Sequence, residues 1–284
     1  MSIRIKLTGG LGNQMFQFAA GYAVARRNNV ELSLDLRRFN RRPLHNGFEL
    51  QNVFDIYSKV NFLNKPLGSK FINIKELLNK IDRTFHTFEE PHFQYTPKIL
   101  NIPKHTILNG YWQSELYFKN YTQEIRKIFS FCNQLDKKNS LVANDIDQNN
   151  SISIHVRRGD YLLKENYNHY VDLKKYYLKA IKESAKFLDN PKYFIFTDDS
   201  LWVTKNLILN YPYTIVDVND GINSFFDMYL MSICKSNIIA NSSFSWWGAW
   251  LNNKKDKIVY APKHWFNDIS TCTSDLIPNS WNIL

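Results

Sequence analysis

No stretch of the 284-residue chain approaches ~18 consecutive apolar residues, the length a membrane-spanning helix needs. The opening residues Met1 to Leu7 lack the apolar run of a secretory signal, because Arg4 and Lys6 interrupt them, and a strand is expected there instead. Cysteine is scarce. Cys132, Cys234 and Cys272 are odd in number and widely spaced, which offers neither a disulfide framework nor metal-ligand spacing and points to a reducing compartment. No internal repeat is visible. Charged residues are 22% of the chain, too ordinary a share for global disorder, while 44% hydrophobic and 15% aromatic residues supply ample core. The length lies between one large domain and two modest ones.

Net charge is +10, and its distribution says more than its size. The first 150 residues hold 21 Lys and Arg against 13 Asp and Glu, so they carry +8 of the total. Such a bias suits a nucleotide diphosphate, a pyrophosphate-linked lipid or a membrane surface, or is simply a solvated basic face.

Ile3, Ile5 and Leu7 alternate with Arg4 and Lys6 as a first strand, followed by Gly9-Gly10-Leu11-Gly12-Asn13 and an apolar-striped helix over Gln14–Arg27. Strand, glycine loop and helix open an α/β unit. Residues 40–103 have few strong periods, with helical pieces such as Ile74–Ile81 among loops. Asp136 to Asn150 is polar and free of aromatics, which reads as a linker. Beyond it the α/β rhythm is clear. Strands are expected at Ser151–Arg157, Tyr193–Thr197, Tyr213–Val218, Asn237–Ala240 and Lys257–Ala261. Helices are expected at Leu173–Leu188, after Ser224 with the capping-box-like Asp227, and over Trp246–Leu251.

The segment Ile154-His155-Val156-Arg157-Arg158-Gly159-Asp160-Tyr161 ends a strand whose Ile152, Ile154 and Val156 share one face while Ser153, His155 and Arg157 share the other. Ligands bind at that end of strands in open α/β sheets, and an Arg fork suits a phosphate. Gly159 lets the chain turn, and Asp160 can hold an Arg in one rotamer. The alternative is a surface turn with a core histidine. The first loop is neither a P-loop, since no Gly-Lys-Ser/Thr follows, nor a full dinucleotide fingerprint, since Met15 takes the third glycine position. Its glycines either admit an anion to the helix N-terminus or make a tight packing turn. In Asn241-Ser242-Ser243-Phe244-Ser245-Trp246-Trp247-Gly248-Ala249-Trp250 the serines either cap a helix or cradle phosphate, whereas Trp246, Trp247 and Trp250 read as core. Asp198 and Asp199 suit a base-reading carboxylate, a helix cap or Mg²⁺, though no second acidic cluster accompanies them.

The ordered set GGLGNQMFQ, LNGYWQSELYF (Leu108–Phe118), HVRRGDY, FTDD, NSSFSWWGAW and APKHWF (Ala261–Phe266) resembles the bacterial α-1,2-fucosyltransferases of glycosyltransferase family eleven along nearly the whole chain. The resemblance implies an α/β fold of the GT-B type: two Rossmann-like lobes with a cleft between them, residues 1–145 on the acceptor side and 146–284 binding GDP-fucose. It implies inverting transfer of fucose to the 2-hydroxyl of a terminal galactose, with no cofactor and no required metal. Carried onto this chain, it puts Arg157 on the donor phosphates as the catalytic group, and His155 and Asp199 near the guanosine. Ser243, Phe244 and Ser245 would line the diphosphate pocket, with Gly12 and Asn13 approaching from the other lobe. Arg158 and Asp160 belong to the same motif.

Breaking the bond from the sugar to its diphosphate builds negative charge on the β-phosphate, which fixed cations and N–H dipoles can meet. Asp35, Glu49 and Glu115 are candidates for a base. The expected partners are GDP-fucose and a galactose-containing glycan, lipid-linked in one reading, in the cytoplasm and peripheral on the inner membrane. Rival readings are another fucosyl linkage, or a nucleic-acid-binding protein built around Arg37-Arg38-Phe39-Asn40-Arg41-Arg42; no recognised nucleic-acid motif supports the latter.

Overall fold

Ile3, Ile5 and Leu7 are wholly buried, so the opening segment is a core strand, β1 (Ser2–Lys6). It belongs to a computed structural model that describes residues 1–41, 45–63 and 85–284. The helical piece expected at Ile74–Ile81 and part of the arginine run lie outside the described residues. The chain forms two compact units, Met1–Cys132 and Asn133–Leu284.

In the first unit β1 is followed by α1 (Leu11–Asn28), β2 (Glu31–Asp35), α2 (Arg37–Arg41), α3 (Leu50–Val53), β3 (Asn61–Leu63), β4 (His86–Glu89), β5 (His105–Asn109) and α4 (Thr122–Ile128). Helix α1 buries Met15, Phe18, Ala19 and Ala23 against the sheet. It stops at Asn29, whose left-handed backbone (φ 51°) returns its N–H to the carbonyls of Ala25 and Arg26. Among the described residues the five strands are all parallel in the order β3-β2-β1-β5-β4, so β1 lies in the middle.

The second unit contains α5 (Lys137–Asp147), β6 (Asn150–Val156), α6 (Lys174–Ser184), β7 (Pro191–Thr197), α7 (Ser200–Asn206), β8 (Tyr213–Val216), α8 (Phe225–Ile233), β9 (Ser236–Ile238), α9 (Ser243–Leu251), β10 (Val259–Ala261) and β11 (Asn282–Ile283). Its parallel sheet runs β11-β10-β9-β6-β7-β8. Ile152, Ile154 and Val156 pack with Tyr176, Tyr177, Ala180 and Ile181 of α6. The opposite face of β6 is buried too: Ser153 accepts a bond from Asn237 at 2.7 Å. A parallel sheet covered on both sides buries even its polar row.

The stretch expected to be a linker is instead α5, and the division between units falls before it, not near residue 145. Asp136 caps the helix by accepting the Asn139 N–H at 2.8 Å. Asn139, fully buried, exchanges two amide bonds of 2.8 Å with Asn219, which donates onward to Asp227 of α8 at 2.7 Å. A polar helix therefore docks through an amide network, with Ile146 its one buried apolar side chain. Asp227 serves that network; Ser224 makes no side-chain cap. No helix among the described residues is long and apolar enough to cross a membrane.

Candidate active site

From β6 the chain builds outward through β7 to β8, then crosses to β9 on the other side. Strand order thus reverses between β6 and β9, and such a switch point opens a crevice at the carboxyl ends of the strands. Three loops leave the sheet there: Arg157–Asp160 after β6, Asp198-Asp199 after β7, and Asn241-Ser242 leading into α9.

The two arginines are held by three carboxylates. Arg157 places Nη2 2.7 Å from Asp160 and Nη1 2.9 Å from Asp198, with its guanidinium 5.7 Å from the Tyr161 ring centre. Arg158 pairs through Nε with Asp199 at 3.1 Å and lies 4.5 Å over the Trp202 ring. Its backbone N–H donates to Asp198 at 2.8 Å. Gly159 is needed for this approach, because a Cβ there would sit 2.9 Å from the Asp198 carboxylate. Asp199 also caps α7 by accepting the Trp202 N–H at 2.9 Å, so both its oxygens are engaged. Neutralised but still 30% exposed, Arg157 is the more accessible of the pair, against 16% for Arg158.

His155 is buried at the end of β6, its ring 5.8 Å from that of Phe244, and Nδ1 finds no partner. Burial lowers its pKa to about 4, opposed by the charge of Asp198 and assisted by that of Arg157. At neutral pH it is an uncharged donor–acceptor. The Tyr161 hydroxyl donates to the Asn241 carbonyl at 3.3 Å and is pushed up to about 12 by burial. Asn241 is itself fixed by bonds to the carbonyls of His169 and Trp265. Ser243 and Phe244 are half-buried at the start of α9, whereas Ser245 turns inward and donates to the Ser242 carbonyl at 3.2 Å. Trp246, Trp247 and Trp250 are core, as their spacing predicts.

His155, Arg157, Arg158, Asp160, Asp199, Ser243 and Phe244 therefore gather around one crevice of the second unit. Asp198, the group binding both arginines, is one of the paired acids of the sequence, but the resemblance puts its neighbour Asp199 in the site. Gly12 and Asn13 belong to the first unit. There the Gln14 amide donates to the carbonyls of Gly9 (2.9 Å) and Gly47 (2.8 Å), while Gln17 accepts from Thr8 and donates to Gly110. Glu49, whose carboxyl is raised by burial, accepts the Leu11 N–H at 3.0 Å, so the helix N-terminus already faces a carboxylate. Of the other base candidates, Asp35 is tied to Arg37 (2.8 Å), and Glu115 lies in the field of Arg126. Among the described residues no three His, Cys, Asp or Glu side chains form a metal-binding group.

The model of glycosyl transferase family 11 matches residues 2–284. The chain belongs to that family. It is 36% identical to the alpha-1,2-colitosyltransferase of Escherichia coli over 99% of this chain and 98% of the relative. It is 33% identical to the O-antigen biosynthesis glycosyltransferase WbnK of Escherichia coli over 95% and 97%. A mutant of Arabidopsis thaliana FUT1 in complex with GDP shares the fold with a TM-score of 0.55, at 11% identity, over 99% of this chain and 76% of that one. This family 11 member is thus a glycosyltransferase, with two Rossmann-like α/β units of the GT-B class.

Proposed function

We propose that this family 11 enzyme transfers L-fucose from GDP-β-L-fucose to the 2-hydroxyl of a terminal galactose, with inversion and without a required metal. The observation that carries the reading is the Arg157–Arg158 pair, fixed by Asp160, Asp198 and Asp199 at the switch point of the second sheet. Preorganised cations at a crevice suit an anionic leaving group, and holding them before the reaction avoids reorganisation during it. As charge grows on the β-phosphate, the accessible edge of Arg157 meets it. The acceptor oxygen forms its bond to the anomeric carbon from the opposite face, GDP departs with the bonding electron pair, and the hydroxyl proton is lost. No motif places a carboxylate nucleophile, so one displacement fits better than two. The basic first half of the chain suits an anionic, lipid-linked acceptor at the inner membrane face.

A second donor is favoured by one observation, the 36% identity to a colitosyltransferase. Colitose is L-fucose without its 3-hydroxyl, so a site that hydrogen-bonds that hydroxyl prefers fucose, and an apolar one accepts both. GDP release from GDP-fucose and from its colitosyl counterpart, across a panel of β-galactosides, tests both readings. Proton NMR of the product then reports anomeric configuration and linkage; a β-fucoside would refute inversion, and a different galactose carbon would refute the regiochemistry.

A further inference from the structure

The first unit has a switch point of its own. Its order β3-β2-β1-β5-β4 reverses between β1 and β5, and the carboxyl ends of β1, β5 and β4 carry the glycine loop, Gly110–Gln113 and Glu90. Ligands of open parallel sheets settle at such a point, and the donor-site reading above assigns only Gly12 and Asn13 there.

The turn after β5 is strained in a directed way. Trp112 has φ 57°, a left-handed conformation that is costly for a bulky residue and persists only where its surroundings over-determine it. What determines it is Glu90. One carboxylate oxygen accepts the Tyr111 N–H at 2.6 Å and the other accepts the Trp112 N–H at 3.0 Å. The buried indole is wedged against Phe88 and Tyr117, with ring centres at 6.1 and 5.5 Å. Gly110 leaves room for this arrangement: a Cβ there would lie 2.7 Å from a Glu90 oxygen and 3.0 Å from the Trp112 ring. The turn leaves Tyr111 exposed and leads on to Gln113, which donates to Asn13 of the glycine loop at 2.7 Å. The Gln113 Oε1 is buried without a partner.

We infer that this edge is the acceptor-sugar subsite, where the Glu90 carboxylate accepts a hydroxyl of a neutral sugar whose apolar face lies on Tyr111. Each Glu90 oxygen keeps a lone pair beyond its backbone bond. Burial raises the Glu90 carboxyl, as expected of a poorly solvated group that gains from a hydroxyl donor. Ligand class follows from the donor set: with His92 the charged neighbour in its field, the Glu90 carboxylate offers acceptor oxygens to a hydroxyl and no placed cation to an anion. A flat aromatic face beside a few fixed polar groups is the lining such a ligand requires. The inference rests on the transferase reading for the identity of the sugar.

The test is NMR titration of β-galactosides into the full chain without donor, alongside transfer kinetics. Tyr111→Ala leaves every Glu90 bond in place, and it weakens galactoside binding about tenfold while Tyr111→Phe stays near wild type. Glu90→Gln, losing a charge-assisted bond, weakens it about 10- to 100-fold. Equal galactoside affinity in wild type and Tyr111→Ala overturns the subsite whatever the donor, as does a wild type that binds no galactoside. Binding that follows these variants, with no transfer from GDP-fucose, upholds the subsite and refutes the donor assignment.

Discussion

Asp198 holds both arginines of the pair, one oxygen 2.9 Å from the Arg157 guanidinium and the other accepting the Arg158 N–H at 2.8 Å. One carboxylate thus sets the backbone of one arginine and the side-chain direction of the other.

Arg157→Ala should lower turnover by at least the roughly 10²–10³ that follows loss of one preorganised donor at a developing anion. Arg157→Lys should recover little, because a point charge replaces a planar fork. Arg158→Ala should act first on thermal stability, since that side chain lies between Asp199 and Trp202. Steady-state kinetics with melting curves on the three variants check this; near-wild-type turnover in Arg157→Ala would sink the phosphate role.

Asp198→Asn keeps the shape of the side chain and its bond to the Arg158 N–H while removing the charge beside Arg157. We expect kcat to fall less than in Arg157→Ala, with the folded state retained. If Asp198→Asn and Arg157→Ala cause equal losses of kcat, the carboxylate does more than orient its partner.

On the proposed mechanism exhaustive chelation leaves activity in place, because Arg157 donates to the departing phosphate where a metal would otherwise bind it. Activity abolished by EDTA and restored by one divalent ion would turn attention to Asp160, Asp198 and Asp199 as ligands.

Much of the second unit was legible because its strands announce themselves. Ile152, Ile154 and Val156 alternate, and the strands near 193, 213, 237 and 257 are short apolar runs between turns. Helix α5 was not legible. Its docking rests on Asn139 meeting Asn219, a pairing between polar residues far apart in the chain that composition cannot reveal. The arginine motif could be read as a candidate site, but not which acid binds which arginine, since Asp198 and Asp199 are neighbours with opposite assignments. Glu90 was invisible for a different reason: its partners are backbone N–H groups, which every sequence has.

His155 should report on pH. Its folded pKa of about 4 lies below the unfolded value near 6.5, so the unfolded chain binds more protons between those limits. The stability associated with neutral His155 is complete above pH 6.5 and is lost as pH falls toward 4, by about 3 kcal/mol in total. Urea unfolding of wild type and His155→Gln across pH 4–7 should show a shrinking gap at low pH. A histidine titrating near 6.5 in the folded protein would contradict this.

Asp227 has the opposite sign. Burial lifts its carboxyl to about 7, against the Asn219 bond that favours ionisation. From an unfolded value near 3.8 up to pH 7, the unfolded chain sheds a proton that the folded chain keeps, so stability declines as pH rises through that window. Asp227→Asn retains an acceptor for Asn219 without the charge. Relative to wild type it should gain roughly 3–4 kcal/mol between pH 3.5 and pH 8.5. Denaturation curves at the two pH values test this, and a difference independent of pH would refute it.

The place of β1 in its sheet governs how the first unit can be made. Ser2 pairs with Glu31 on one side and with His105 on the other, so β1 is closed in only after about a hundred further residues have been made. Non-local parallel pairing of this kind is slow, and until β5 arrives Ile3 and Ile5 have one open flank. Losing the first seven residues would remove the middle of the sheet and leave β2 and β5 without a common neighbour, whereas losing the two-residue β11 would trim an edge.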